Sequence, residues 1–234
     1  MGEPRKLTIY APPNPPPGRR YPVIYAADGG SVRQWAGIVH ALVEAGKLPQ
    51  VILVGLWPAP ADAVRGAALG VQFRHQEYLI GFEGGDARFT AHERFLLEEV
   101  APLAERQFAA ATDPRERAVA GYSNGGAWAL QMGARHPGVF GKVISLSPAG
   151  ASGIGILQGA KFGDVFLGGG TLEPTFATNA RTAAALVAPR ADRLWLEVRT
   201  AGHSHDLWED LFAEAVVWML GDADLSATSE APAQ

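Results

Sequence analysis

Short apolar runs, separated by longer segments with helical spacing, constrain the fold of this 234-residue chain more than any other feature. The runs are continuously apolar, which is typical of strands that are covered on both faces. We predict strands at Leu7–Tyr10, Tyr21–Ala27, Val51–Trp57, Ala118–Tyr122, Val143–Ser147, Val165–Leu167 and Leu194–Arg199. We predict helices at Gln34–Ala45, Ala91–Gln107, Gly126–Arg135, Asn179–Val187 and His205–Leu220. This alternation favours an α/β fold with a mostly parallel, doubly wound sheet that is flanked by helices.

The composition is that of a globular chain with many tight connections. Hydrophobic residues make up 47% and charged residues 19%, so the signature of disorder is absent. The 28 Gly and 17 Pro residues therefore indicate ordered turns. No repeat or long linker divides the chain, and we expect one domain over residues 1–222. It would begin with an extended, proline-rich segment over residues 1–20, and residues 223–234 would form a flexible tail.

Charge and cysteine content exclude several classes of function. The net charge is −4 and the 20 Lys and Arg residues form no long block, so a nucleic-acid partner is not expected. No apolar stretch of about 18 residues could span a bilayer. The N-terminal residues lack the apolar core of a signal peptide, so we expect a cytoplasmic protein. Because the chain has no Cys, it has no disulfides, no Cys-ligated zinc and no thiol nucleophile. As a separate expectation, the chain should need no metal and no cofactor.

A glycine-rich turn at residues 121–126 carries the sharpest chemical signal. Its sequence, Gly-Tyr-Ser-Asn-Gly-Gly, lies between a predicted strand and a predicted helix. G-x-S-x-G in that context is typical of a nucleophile elbow, in which glycines on either side of a strained serine let the backbone segments approach closely. The helix that follows would direct its free amides towards negative charge on a substrate. The motif therefore predicts that Ser123 is a nucleophile.

A serine needs a base that removes its proton, and the base needs an acid that orients it. In chains with this elbow the order is Ser, then Asp or Glu, then His. His203 directly follows the last predicted strand and is the favoured base, with His205 as the alternative. His136 lies at the end of the elbow helix and is expected to cap it or to lie at the surface.

The acid should follow the penultimate strand, and Glu173 is the carboxylate found there. Asp192 leads into the last strand and is a less favoured alternative. Asp164 precedes the strand Val165–Leu167, which would place it at the opposite edge of the sheet. As an alternative to a catalytic role, Glu173 could be a solvated charge in a loop or a residue that starts a helix.

An oxyanion hole needs two backbone amides. One should belong to Asn124, and the other should come from the turn at residues 28–31, Asp-Gly-Gly-Ser, after the second strand. The long connection over residues 58–90, together with the tryptophan before it, would lie near the same edge of the sheet. It offers candidate substrate-binding residues, although packing and ion pairs within the loop explain them equally well: Trp57, Arg74, His75 and Tyr78.

With these residues assigned, the chain resembles the Putative esterase family of the α/β-hydrolase superfamily. That family includes enterochelin esterases, feruloyl esterases, S-formylglutathione hydrolases and mycolyltransferases. The resemblance covers roughly Leu7 to Gly221. The segments that carry it are Tyr21–Gly29, Gly121–Gly126, His136–Gly141, Ser145–Ser147, Gly170–Pro174, and Gly202-His203 followed by Trp208.

The resemblance implies an α/β-hydrolase fold with a small cap or none. It places Ser123, Glu173 and His203 at the triad positions, and the amides of Gly30 and Asn124 in the oxyanion hole. The spacing from His203 to a tryptophan five residues later favours His203 over the second histidine. The implied activity is metal-independent cleavage of small-molecule carboxylic esters through an acyl-enzyme, with siderophore-type and feruloyl-type esters as suggested substrates. An acyltransferase with the same triad and a non-catalytic binding protein of the same fold are the alternatives.

Overall fold

The computed structural model describes residues 4–13, 15–59, 73–82, 85–150 and 154–221. In this part of the chain a seven-stranded sheet has the order β1-β3-β2-β4-β5-β6-β7. Strand β1 runs antiparallel to β3, and the other neighbours are parallel. The strands are β1 (Leu7–Tyr10), β2 (Val23–Ala27), β3 (Ile52–Leu56), β4 (Arg117–Tyr122), β5 (Lys142–Leu146), β6 (Phe162–Gly170) and β7 (Ala191–Arg199).

Helices cover both faces of the sheet. They are α1 (Val32–Glu44), α2 (Phe73–Tyr78), α3 (Gly85–Arg94), α4 (Ala101–Gln107), α5 (Asn124–Arg135), α6 (Ile154–Leu157), α7 (Pro174–Val187) and α8 (His205–Leu220). Side chains of α1 and α8 pack on one face, and those of α3, α4, α5 and α7 pack on the other. Strand β2 shows the division, because Tyr25 points into one core and Ile24 into the other. The predicted mostly parallel, doubly wound sheet is therefore confirmed.

The helix predicted at Ala91–Gln107 differs from the structure in two ways. It starts earlier, because α3 already begins at Gly85, and a π-helical turn at Phe95–Val100 separates α3 from α4. Pro102 lies in the first turn of α4 and cannot donate a backbone hydrogen bond to the preceding turn. A wider turn before a proline avoids the clash of its ring with the carbonyl group one turn back.

Several sequence predictions concern residues that the structure does not describe. Residues 60–72 and 83–84 of the long connection lie outside the described part of the chain, as do residues 151–153 of the short connection that follows Ser147. The predicted tail over residues 223–234 lies outside it as well. Among the residues that are described, no helix has the length and apolar character that crossing a membrane requires.

Candidate active site

The carboxyl edge of the sheet brings together residues from five connections. Asp28 directly follows β2, Ser123 follows β4, and Ser147 follows β5. Glu173 and His203 lie three and four residues beyond the ends of β6 and β7. Because β2, β4, β5, β6 and β7 are parallel neighbours, these five residues share one edge, where ligands bind in open α/β sheets.

Ser123 occupies a sharply strained turn between β4 and α5. Its backbone has φ 57° and ψ −122°, a conformation that residues other than glycine rarely adopt. A Cβ atom on Gly121 would lie 2.3 Å from the carbonyl oxygen of Gly125, and one on Gly125 would lie 2.8 Å from Cβ of Ala27. Gly121 is therefore required by the close approach of the Gly125 backbone, and Gly125 by the close approach of the Ala27 side chain. The Ser123 carbonyl accepts from the amide of Ala149 at 2.9 Å, which fixes the turn against the next connection.

The side chains of His203 and Glu173 are hydrogen-bonded to each other. Nδ1 of His203 contacts Oε2 of Glu173, and the other carboxylate oxygen accepts from the amide of Gly170 at 2.7 Å and from the hydroxyl group of Ser147. The Glu173 side chain is only 3% exposed, whereas that of His203 is 31% exposed. A buried carboxylate that is held by three partners can orient the imidazole through Nδ1 and leave Nε2 directed away from it.

Aromatic rings fix the plane of the His203 imidazole. The ring of Phe176 stacks on it with centroids 4.0 Å apart, and that of Trp208 meets it edge-on at 4.7 Å. The indole of Trp208 donates to the Ser147 hydroxyl at 3.0 Å and stacks on Tyr122 at 3.9 Å. The sequence had indicated Trp208 only through its spacing from His203. The contributions of Phe176 and Ser147 were missed, although the position of Ser147 directly after a predicted strand could have suggested that residue.

The structure separates His203 from the other candidate bases. His205 contacts the rings of Tyr122 and Trp208 edge-on, with centroids 5.4 Å and 5.2 Å away, and lines a cavity at the sheet edge. His136 forms the C-terminal cap of α5, as expected, and its Nε2 lies 2.7 Å from a carboxylate oxygen of Glu93. Of these histidines, His203 is the one whose imidazole is paired with Glu173.

The alternative acids lie elsewhere in the sheet. Asp164 is near the start of β6, where Lys142 and Arg193 each donate to its carboxylate at 2.7 Å. Asp192 is the second residue of β7 and lines a different cavity, together with Asp164. Both residues are at the amino ends of their strands, opposite the edge that carries Glu173.

The turn after β2 has one free amide among its four described residues. The amide of Asp28 donates to the Tyr78 hydroxyl at 2.9 Å, that of Gly29 to the carbonyl of Leu56 at 3.0 Å, and that of Ser31 to the carbonyl of Asp28 at 2.8 Å. The amide of Gly30 has no acceptor in this part of the chain, and Gly30 lines a cavity of about 390 Å³. The amide of Asn124 begins α5 and is one of the amides that have no acceptor within the helix. Both predicted oxyanion donors thus lie at the carboxyl edge of the sheet.

The four predicted substrate-binding residues occupy different environments. Trp57 lines the same cavity, and its indole donates to the hydroxyl of Thr8 at 2.8 Å. His75 stacks on Phe82, with ring centroids 5.2 Å apart. The side chains of the other two point towards the turn after β2. Arg74 pairs with Asp28, and Tyr78 is fully buried beneath that turn.

This fold and this sheet edge define a protein with the α/β-hydrolase fold. A model of the family described as "Putative esterase" matches residues 1–219. The chain therefore belongs to the Putative esterase family. The family resemblance that was identified from the motifs is thereby confirmed.

Solved structures of esterases share the fold at low sequence identity. The enterobactin esterase FES from Shigella flexneri, solved in the presence of enterobactin, has a TM-score of 0.73 at 19% identity, over 92% of this chain and 55% of that one. The BES protein from Bacillus cereus has a TM-score of 0.71 at 20% identity, over 93% and 90%. The CE1 ferulic acid esterase AmCE1/Fae1A from Anaeromyces mucronatus, in complex with ferulic acid, has a TM-score of 0.68 at 17% identity, over 92% and 85%.

Two curated proteins of Bacillus subtilis (strain 168) are related in sequence. YjcH is 26% identical over 149 residues, which is 63% of this chain and 57% of its own length. YbbA is 24% identical over 156 residues, which is 61% of this chain and 56% of its own length. The matches therefore span a little over half the length of these relatives.

Proposed function

We propose that this chain is a serine esterase that hydrolyses small-molecule carboxylic esters with a Ser123–His203–Glu173 triad. The observation that carries the proposal is the hydrogen bond between Nδ1 of His203 and the buried carboxylate of Glu173, at the sheet edge where Ser123 occupies a strained elbow. Membership of the Putative esterase family supports ester hydrolysis. The order of the three residues along the chain is the one expected for this fold.

The proposed reaction begins when Nε2 of His203 takes the proton of the Ser123 hydroxyl. Oγ of Ser123 then forms a bond to the ester carbonyl carbon, and the carbonyl oxygen becomes an oxyanion. The amides of Gly30 and Asn124 donate to it, and each such donor is typically worth ~10²–10³-fold in rate. The C–O bond to the alcohol breaks, and the alcohol leaves with the proton that His203 carries. Glu173 keeps the Nδ1–H tautomer and stabilises the imidazolium charge.

The second half of the reaction releases the acyl group. His203 removes a proton from water, the resulting hydroxide adds to the acyl carbon, and a second oxyanion forms between the same two amides. The bond from the acyl carbon to Oγ breaks, and His203 returns the proton to Ser123. The products are a carboxylic acid and the free serine, so no cofactor is consumed.

The cavity beside Gly30 supports an aromatic group in the substrate. It has a volume of about 390 Å³, and the rings of Trp57, Tyr122 and His205 line it. Two of the solved structures named above were determined with enterobactin or ferulic acid. Feruloyl-type and siderophore-type esters are therefore the first substrates to test.

The proposal is tested with p-nitrophenyl acetate and butyrate, followed by a panel of feruloyl and catechol-siderophore esters. We expect a fluorophosphonate probe to label the wild-type chain at Ser123, and we expect Ser123→Ala to lose both labelling and turnover. Circular dichroism and thermal melting establish that the variant is folded. Turnover that Ser123→Ala retains would refute the triad, and an unlabelled, inactive wild type would favour a binding protein. Product analysis with an added alcohol separates hydrolysis from acyl transfer.

A further inference from the structure

Asp28 brings a negative charge to the place where the proposed reaction develops one. It lies two residues before Gly30 in the turn after β2 and lines the same cavity. A Cβ atom on Gly125 would lie 3.3 Å from Oδ2 of Asp28, so the carboxylate is also adjacent to the first turn of α5. A carboxylate and an oxyanion at the edge of one cavity repel each other, and a partly buried site screens that repulsion less than water does. An uncompensated Asp28 would therefore oppose oxyanion formation.

Arg74 compensates this charge with a two-pronged ion pair. Its Nε donates to Oδ1 of Asp28 and its Nη2 donates to Oδ2, both at 2.6 Å. The side chains of Arg74 and Asp28 are 21% and 13% exposed, so solvent screens the pair only in part. Burial alone would lower the pKa of Arg74, but its hydrogen bonds and charge pairing with Asp28 raise it, so the guanidinium stays charged.

The same helix also holds the shape of the turn. Asp28 has φ 57°, a left-handed conformation that costs energy outside glycine, and its amide donates to the Tyr78 hydroxyl at 2.9 Å. Arg74 and Tyr78 are four residues apart on α2 and therefore lie on one face of that helix. Nη2 of Arg74 also reaches the carbonyl oxygen of Tyr122 at 3.5 Å, which connects the turn to the elbow strand.

Two further ion pairs, both to Glu77, fix α2 itself. Glu77 is fully buried, and its carboxylate accepts from both terminal nitrogens of Arg5 at 2.7 and 3.0 Å. Arg88 donates to it at 3.2 Å, and the amide of Ala59 donates at 3.0 Å. Because these partners come from the N-terminal segment, α3 and the residues after β3, the helix that carries Arg74 is anchored on three sides.

We infer that Arg74 is a positioning residue that neutralises Asp28 beside the oxyanion and holds the turn that presents the Gly30 amide. This inference rests on the proposed esterase function. It also separates the roles of three of the four residues that were predicted to bind substrate. Arg74 and Tyr78 contact Asp28 in the turn after β2, whereas Trp57 lines the cavity.

The test is a double-mutant cycle on Arg74 and Asp28, and the measured quantity is the Ser123-dependent turnover of p-nitrophenyl butyrate. Arg74→Met leaves Asp28 unpaired, and we expect kcat to fall ~10- to 100-fold with KM changed less than about threefold, because the oxyanion and not the neutral ester is repelled. In Arg74→Met/Asp28→Asn the charge is gone, and we expect kcat to recover to within about fivefold of wild type. Arg74→Lys keeps the positive charge but not the bidentate geometry, and we expect its kcat to lie between those of wild type and Arg74→Met.

Arg94→Met is the matched control, because it breaks an exposed Arg–Glu pair within α3 and the π-helical turn, and it should leave kcat unchanged. A trifluoromethyl ketone that forms an anionic adduct with Ser123 gives a second measurement, and its affinity should fall in Arg74→Met by the same factor as kcat. Wild-type kcat in Arg74→Met, or a double variant as slow as Arg74→Met, would overturn the inference. If Arg74→Met does not fold, the comparison is made between the double variant and Arg74→Lys. A kcat of the double variant below the kcat of Arg74→Lys would then overturn the inference. Turnover that survives Ser123→Ala would instead refute the proposed function.

Discussion

The hydroxyl group of Ser147 donates to Oε1 of Glu173, the carboxylate oxygen that does not face His203. Ser147 is fully buried, and its backbone has φ 43°, an unfavourable conformation for a residue other than glycine. The oxygen atom of the same hydroxyl accepts from the indole of Trp208 at 3.0 Å. The proposed acid is therefore positioned by a residue that follows another strand, and through it by the helix that follows His203.

We predict that Ser147→Ala lowers kcat about three- to tenfold and leaves KM nearly unchanged. The variant removes one donor from Glu173 and leaves the Trp208 indole without an acceptor, and an unsatisfied buried donor costs about 1–3 kcal/mol of folding stability. Ester turnover and urea unfolding measure the two effects.

Ser145→Ala is the matched control for this prediction. Ser145 lies on the strand that ends just before Ser147, is equally buried, and donates its hydroxyl hydrogen to the carbonyl of Gly126 at 2.8 Å. We expect it to lose stability but to keep kcat. Equal kcat values for the two variants would contradict a positioning role for Ser147.

A pair of histidine variants distinguishes the proposed base from its neighbour. We predict that His203→Ala lowers kcat by at least ~10³-fold, because Ser123 then has no base and Glu173 has no imidazole to orient. His205→Ala should keep kcat within about fivefold and should change KM, because His205 lines the cavity beside Gly30. Steady-state kinetics on p-nitrophenyl butyrate measure both parameters, and the opposite pattern would make His205 the base.

Gly121, the elbow glycine two residues before Ser123, is the subject of a prediction about stability. A Cβ atom at Gly121 would overlap the Gly125 carbonyl, so Gly121→Ala should shift the elbow and destabilise the protein strongly. Gly37→Ala is the control, because Gly37 lies within α1 and a Cβ atom there would meet nothing within 4 Å. Alanine there should raise the free energy of unfolding by roughly 0.5–1 kcal/mol. Thermal melts that rank the two variants in reverse would contradict the steric explanation.

The parts of the fold that could be predicted from sequence are those whose residues are buried on both faces. The run Ile52–Leu56 is fully buried and apolar, and its strand was predicted to within one residue at each end. Strand β6 was predicted too short, because Gly168–Gly170 has little intrinsic preference for a strand. A Cβ atom on Gly168 would lie 2.6 Å from Leu211, so the glycine is there to let α8 approach, which the local sequence does not reveal.

The candidate site also contains residues that could be predicted from the sequence and contacts that could not. The positions of Ser123, Glu173 and His203 after their strands follow from local patterns and chain order. The partners of Arg74 do not, because Arg74 and Asp28 are 46 residues apart and meet only once the sheet has formed. A charged residue in a long loop gives no local signal of whether it will contact a substrate or another part of the chain.

His92 is a fully buried histidine whose protonation opposes folding. It lies in α3 with its ring among those of Tyr78, Trp128 and Phe95. Neither ring nitrogen has a hydrogen-bond partner in the described part of the chain. Burial lowers its pKa to about 4, although the charge of Glu77 acts in the opposite direction. The unfolded chain, with a histidine pKa near 6.5, therefore binds this proton more readily than the folded chain.

We predict that the free energy of unfolding falls as the pH is lowered from about 6.5 to 4. Between these values the unfolded state binds more protons than the folded state, and the depressed pKa of His92 corresponds to a loss of about 3 kcal/mol across that range. His92→Phe removes the titrating group while keeping an aromatic ring, so this part of the pH dependence should disappear. Urea titrations of both proteins from pH 7.5 to pH 4.5 measure the effect. Burial would raise the pKa of the Glu93 carboxyl, but His136 and Arg135 lower it to about 2. Protonation of Glu93 therefore lowers the free energy of unfolding mainly at pH values more acidic than the range in which His92 acts. Parallel profiles for wild type and His92→Phe would contradict the prediction.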